Sequence, residues 1–271
     1  MSSSEIQYET VLDAQRKQQI KNEFQDFFTI IYGRALNDSS WQHQFIHSPY
    51  NDSPLFLALD RGRIVGSALM IGQKVRHKGE ILDYYLFTTS GVLKEYRNKG
   101  VYAELLKLQK EHASTNGKKF IFAFPNDLAY PVLRLFGGFN DLVQTKLVTT
   151  TLNNIDFSDK GNSLLLDQDF SNWRFEHKDY CFSIVEDMLV ITKEFNRQLD
   201  ILAIYDAEAA ELIETPLTPL NEELKVNTLI DWTIDHAPCE VISNVNAVYF
   251  PLDRSIAITE IKLNLLMSDL Y

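Results

Sequence analysis

The feature that most constrains this chain is the run over residues 55–93, where three extended segments are separated by two turns short enough to force hairpins. Leu55-Phe56-Leu57-Ala58-Leu59 reads as a strand, Asp60-Arg61-Gly62-Arg63 as a turn and residues 64–73 as the returning strand. A second turn at His77-Lys78-Gly79 leads into residues 81–93, rich in aromatic, Thr and β-branched side chains, which predicts a long central strand. Helical spacing resumes at Val101, with Tyr102, Leu105, Leu106 and Leu108 toward one side, and stops at Asn116-Gly117. A meander of strands handed directly to a helix dictates a mixed α/β layout.

The flanks extend this frame. Leu12, Ile20, Phe24, Phe27, Phe28 and Ile31 recur at helical spacing, predicting a helix over residues 11–36, and residues 48–54 are loop chemistry. Residues 118–124 predict a short strand broken at Pro125-Asn126, residues 128–136 a brief helix closed by Gly137-Gly138, and residues 139–152 another strand. The polar stretch after Leu152 is read as a linker, giving a first domain at 1–152, a linker at 153–163 and a second domain at 164–271. In the second domain, strands are expected at 180–185, 188–193 and 199–205, a helix from about Leu220 to His236 (within 217–236), and strands at 240–243, 247–250 and 256–263. Trp173-Arg174-Phe175 and Trp232 are read as packing residues.

Composition removes several functions. The formal net charge of -11 over 271 residues argues against nucleic-acid partners, which require a basic surface. Cys181 and Cys239 are far apart and suit a reducing compartment, so a disulfide framework is not expected. The N-terminus through Asp13 is polar, without a signal-like apolar run, and no apolar stretch approaches the roughly 20 residues of a membrane span. A soluble, cytoplasmic protein without membrane contacts is expected.

The chemistry concentrates between Gly91 and Tyr102, where a strand ends, turns and starts a helix. A helix N-terminus offers unpaired N–H groups and the positive end of the dipole. Gly100 permits close backbone approach, while Arg97 and Lys99 add positive charge, a combination suited to a pyrophosphate. Arg97-Asn98-Lys99-Gly100-Val101-Tyr102 resembles the Arg/Gln-x-x-Gly-x-Gly/Ala signature of the GNAT acyltransferases, departing at Tyr102, where a small residue is usual. Phe124-Pro125-Asn126 followed by Gly138-Phe139 is similar to a bacterial GNAT subgroup associated with cell-surface sugar genes, and Asp60 to Gly66 resembles the family's hairpin.

The resemblance implies a mostly antiparallel mixed sheet flanked by helices. Behind it would stand a second, smaller GNAT-like α/β domain that has lost its phosphate loop. It also implies an N-acetyltransferase moving an acetyl group from acetyl-CoA to the primary amine of a small molecule, an amino sugar being the acceptor suggested, with no metal. A non-catalytic acyl-CoA sensor or scaffold is the alternative, and a homodimer is compatible with the sequence. By the same resemblance, amides of Asn98 to Tyr102 would hold the pyrophosphate and Gly91, Val92 and Leu93 the pantetheine arm. Many members use a Tyr seven residues after the Asn as general acid; counted from Asn126 that position is Leu133, so Tyr130 is the substitute candidate. Asp83, with Glu80 behind it, is the candidate base. Asn126 either binds cofactor or caps the next helix. His43 and His47 share helical spacing but lack a third ligand, and neither a nucleophile elbow nor a Walker loop occurs.

Overall fold

The structure, a computed structural model, describes residues 5–157, 163–176, 179–195, 197–221, 223–234 and 237–267. The start of the chain, residues 158–162 of the expected linker, and Asp235 and His236 of the expected helix lie outside the described residues.

In chain order the elements are β1 (Gln7–Val11), α1 (Ala14–Tyr32), α2 (Asp38–Trp41, continuing as a π-turn over Gln42–Ile46), β2 (Leu55–Asp60), β3 (Arg63–His77) and β4 (Glu80–Val92). Then come α3 (Val101–Thr115), β5 (Phe120–Ala123), α4 (Ala129–Leu135), β6 (Asn140–Thr151) and α5 (Gln168–Arg174). The remainder is β7 (Tyr180–Val185), β8 (Met188–Phe195), β9 (Gln198–Asp206), β10 (Lys225–Leu229) and β11 (Glu240–Pro251). The predicted hairpins hold: Arg61 and Gly62 turn β2 into β3, and Lys78 and Gly79 turn β3 into β4, all four with positive φ. The helix expected over 11–36 is shorter at both ends: residue 11 closes strand β1, which pairs with β2, and Asp13 then caps α1, its carboxylate accepting from the Arg16 N–H at 2.8 Å. Gly33, with φ 67°, ends α1.

Among the described residues the eleven strands form one sheet in the order β1-β2-β3-β4-β5-β11-β6-β10-β9-β8-β7. It is antiparallel except at β4–β5 and β9–β10. The pattern repeats: an antiparallel meander (β2, β3, β4) followed by a parallel neighbour (β5) recurs as β7, β8, β9 followed by β10. The strand after each parallel neighbour crosses to the other repeat, so β11 pairs with β5 and β6 pairs with β10, while β6 and β11 pair with each other. This arrangement confirms the expected mixed, mostly antiparallel α/β fold.

Packing follows from the helix stripes. Phe24 and Phe27 of α1, Trp41 and Phe45 form one aromatic group, with Trp41 and Phe45 stacked at 4.5 Å, while Phe28 packs on Tyr32. Leu105 and Leu106 of α3 meet the β2–β4 sheet. Buried Lys17 is a strut from α1 to the loop before β2, its Nζ donating to Phe45 O at 2.8 Å, Ser53 O at 2.6 Å and Ser53 Oγ at 2.9 Å.

Two expectations in the C-terminal portion are corrected. The helix expected to begin near Leu220 is instead a loop followed by β10, because Val226, Asn227, Thr228 and Leu229 are all buried between strands on either edge. The spacing of Leu220, Leu224 and Thr228 imitated a helix, while the β-branched pair at 226 and 228 suited a strand. The strand expected at 256–263 is irregular, with a 3₁₀ turn at Ile258–Glu260; Ile258, Ile261 and Leu263 anchor it without a ladder. The two segments expected at 240–243 and 247–250 are one strand, β11, interrupted by register shifts at Val241/Ser243 and Ala247/Val248.

Candidate active site

β4 and β5 run side by side only from Tyr85–Ile121 to Phe87–Ala123. Beyond Phe87, β4 follows β3, while the chain after β5 turns away at Pro125. The parting coincides with a bulge: Leu69 faces Thr88 and Ser67 faces Gly91, so β4 carries one extra residue there, with Thr89 at φ 44°. A bulge redirects side chains and backbone and commonly marks a site. Past it the Leu93 N–H donates to Val65 O at 2.9 Å. By antiparallel alternation Gly91 and Leu93 point their amides at β3, and Val92 points toward the opened edge. Of the three residues expected along the pantetheine arm, only Val92 therefore has the required direction.

The turn that follows is built as the sequence predicts. Asn98 and Gly100 have φ 61° and 79°, and nothing lies within 4 Å of where a Cβ on Gly100 would stand. No side chain caps α3, and its first backbone bond runs from the Glu104 N–H to Gly100 O. The amides of Val101, Tyr102 and Ala103 therefore have no partner inside the helix. Arg97 is pinned beside them, its Nε donating to Val92 O at 3.1 Å, and the Lys99 ammonium lies 4.9 Å from the Tyr96 ring centre. An open glycine turn, free amides and two cations fit a diphosphate. Tyr102, the departure from the usual small residue, packs its ring inward and its hydroxyl meets the Ser90 side chain; burial raises its pKa.

Ser90 connects this corner to a cavity of about 880 Å³. The cavity is walled by Phe28 and Tyr32 of α1, Arg34 and His43 after it, Phe87 to Ser90 of β4, Ala123 to Asn126 after β5, and Leu133 of α4. Its far wall comes from the C-terminal portion: Arg174, Asp179, Tyr180 and Lys193. The Tyr32 hydroxyl donates to Ser90 O at 2.9 Å, fixing the end of α1 over the bulge.

The expected acid and base are not brought here. Tyr130 does not line the cavity; its hydroxyl donates to Asp141 Oδ1 at 2.6 Å, and the same carboxylate pairs with Arg134 at 3.0 Å. Asp83 is exposed toward the other end of β4, near Glu80, with its backbone carbonyl accepting the Lys119 N–H. Asn126 caps α4, its Oδ1 accepting from Leu128 N–H at 3.1 Å and Ala129 N–H at 2.9 Å, and it also borders the cavity. Leu133 is buried and lines the cavity, so the position of the usual acid is in place but carries no hydroxyl. Of the aromatic run on β4, Phe87 faces the cavity, while Tyr85 bonds Asp52 at 2.6 Å and Tyr84 bonds Gln73 in the interior.

The place of several residues in the wall escapes a reading of the sequence. His43 stacks on Trp173 at 4.7 Å with planes 3° apart, and its Nδ1 lies 3.6 Å from Glu176 Oε2. Arg174 and Lys193 flank Tyr180, and Lys193 pairs with Asp179 at 3.3 Å. No local motif signals them, since the fold alone brings α5, β7 and β8 to the parted strands. Among the described residues, no group of three or more potential metal ligands occurs, and no helix is long and apolar enough to cross a membrane.

A strand parted from its parallel neighbour at a bulge, beside an uncapped helix behind a glycine turn, is the arrangement that the GNAT resemblance implied. The sequence agrees: residues 16–139, just under half of the chain, match the family model described as an acetyltransferase (GNAT) domain. No curated protein matches the chain. Solved structures share the fold over most of its length. A GCN5-related N-acetyltransferase from Kribbella flavida aligns over 92% of this chain and 72% of its own at 11% identity and TM-score 0.64. Eis1 from Mycobacterium abscessus aligns over 92% and 74% at 11% identity and TM-score 0.61. A GCN5-related glucosamine N-acetyltransferase region of a fungal multi-domain β-N-acetylglucosaminidase aligns over 92% of this chain and 38% of that one, at 12% identity and TM-score 0.51. At these identities the likeness concerns the fold.

Proposed function

We propose that the protein transfers an acetyl group from acetyl-CoA to a primary amine of a small molecule held in the cavity between its two portions. The observation that carries this reading is the continuity of the Gly100 turn, the parted end of β4 and the cavity, joined through Tyr102 and Ser90. Acetyl-CoA supplies the activated acyl carbon and a thiolate leaving group. The amides opening α3, with Arg97 and Lys99, hold the diphosphate; the open edge at Val92 aligns the arm; Phe28, Phe87 and Leu133 exclude water from the reacting end. His43, backed by Glu176, replaces Asp83 as the group proposed to take the proton from the amine. An amino sugar is the acceptor class favoured by the Phe124-Pro125-Asn126 resemblance, and the fungal region that shares the fold is named a glucosamine N-acetyltransferase.

The same reading treats the C-terminal portion as a second GNAT-like half without a phosphate loop. The recurrence of meander and parallel neighbour supports it, as does the reciprocal crossing of β6 and β11. Leu133 in place of a hydroxyl favours a second reading, in which acetyl-CoA is bound as a signal and not consumed. Thiol release from acetyl-CoA in the presence of a panel of amino sugars and simple amines separates the two. Amine-dependent release supports transfer; saturable binding with no release for any amine supports the sensor.

A further inference from the structure

The chain carries a net charge of -11, yet the cavity wall has the opposite sign. Among the described residues its permanent cations are Arg34, Arg174 and Lys193, and its one lining carboxylate is Asp179. Arg174 is only 4% exposed, with its guanidinium 5.7 Å and 6.0 Å from the Trp173 and Tyr180 ring centres. Lys193 sits 4.7 Å from the other ring neighbour, Tyr180, and 3.3 Å from the Asp179 carboxylate, which is 60% exposed. Glu176, 3.6 Å from His43 Nδ1, is not among the described lining residues.

A cleft lined by one sign of charge between low-dielectric walls concentrates ligands of the other sign. A polycationic acceptor would meet repulsion here, since each added ammonium would face Arg174 and Lys193. The cations are also not those that serve the diphosphate: Arg97 and Lys99 stand at the α3 turn, whereas Arg174 and Lys193 come from α5 and β8 across the cavity. Building on the transferase reading, we infer that the acceptor carries an anionic group, a carboxylate or phosphate, beside its amine. The anion seats on Arg174 and Lys193, and the amine is thereby turned toward His43 and the parted end of β4. Transfer then forms the amide C–N bond as the thioester C–S bond breaks. The amine proton leaves through His43, and the sulfur departs as thiolate.

The test uses the full chain with saturating acetyl-CoA and matched pairs of amines: glucosamine 6-phosphate against glucosamine, and β-alanine against propylamine. Thiol release gives kcat/KM for each member, and calorimetric titration of the same amines into the protein, free and CoA-loaded, gives affinity without turnover. The member bearing the anionic group in at least one pair is expected to exceed the member lacking it about tenfold, the scale of one charge-assisted contact. Lys193→Gln should cut that preference through KM, and Asp179→Asn, which releases Lys193, should widen it. Neither variant should alter acetyl-CoA affinity. The inference is overturned if the member lacking the anionic group equals or exceeds the one bearing it in every pair, if no anion-bearing probe binds up to about 10 mM, or if Lys193→Gln leaves the preference intact. Failure of acetyl-CoA itself to bind would instead remove the transferase reading, with the amine titrations still reporting the cavity's charge preference.

Discussion

Lys17 shows how one side chain can fasten the acceptor side of the site. Burial pulls its pKa from the usual lysine value down to about 8, against the pull of Asp52 and Asp13. The folded state therefore releases this proton at lower pH than the unfolded chain, and between about pH 8 and 10 the unfolded state binds more protons. Stability from this residue rises with pH across that window. Lys17→Met strands the acceptors at Phe45 and Ser53 and should cost about 2 kcal/mol at pH 7. Denaturant midpoints at pH 7 and 9.5 should show the native protein gaining more than the variant between the two. At this scale the sequence was informative wherever chemistry is local: Arg97, Gly100 and Asn126 fall into place because a turn and a cap are set by neighbouring residues. Tyr130 and Asp83 failed as catalytic candidates because orientation is set by distant partners, Asp141 and the far end of β4, which no spacing reveals.

The decisive element is β4, whose bulge at Thr89 opens one edge while the other stays on β3. The end of α1 lies directly on it: a Cβ added at Gly91 would stand 2.6 Å from Ile31 Cγ2. Gly91→Ala must therefore displace the Ile31 side chain of α1, and overpacking of this kind costs about 1–3 kcal/mol. A lowered thermal midpoint together with weaker acetyl-CoA binding is the expected result; a variant with native stability would show that α1 yields freely. The hairpins and α3 were legible because turn residues and apolar spacing agreed. β10 was misread because Leu220, Leu224 and Thr228 carry a helical interval in a segment whose conformation is decided by β6 and β9 on its two edges.

Across the whole molecule, β11 fastens the two portions, lying between β5 and β6 with Ala247 and Val248 buried. Val248→Pro removes a backbone donor in the middle of the sheet and should cost about 3 kcal/mol or more. Because β11 serves both portions, loss should appear as one cooperative transition shifted downward, by circular dichroism and tryptophan fluorescence alike. Retention of acetyl-CoA binding after the C-terminal portion has melted would contradict that coupling. The exchange of strands was invisible to the sequence, since a strand's partners depend on long-range register and not on its own residues. What the account rests on is the diphosphate corner behind Gly100. Calorimetric titration of acetyl-CoA into the native protein and into Gly100→Val tests it most directly, since valine at φ 79° is strained and fills the open space. Saturable one-site binding to the native protein is expected, weakened at least about tenfold in the variant. Equal affinity in the two proteins, or no binding to the native one, would contradict it.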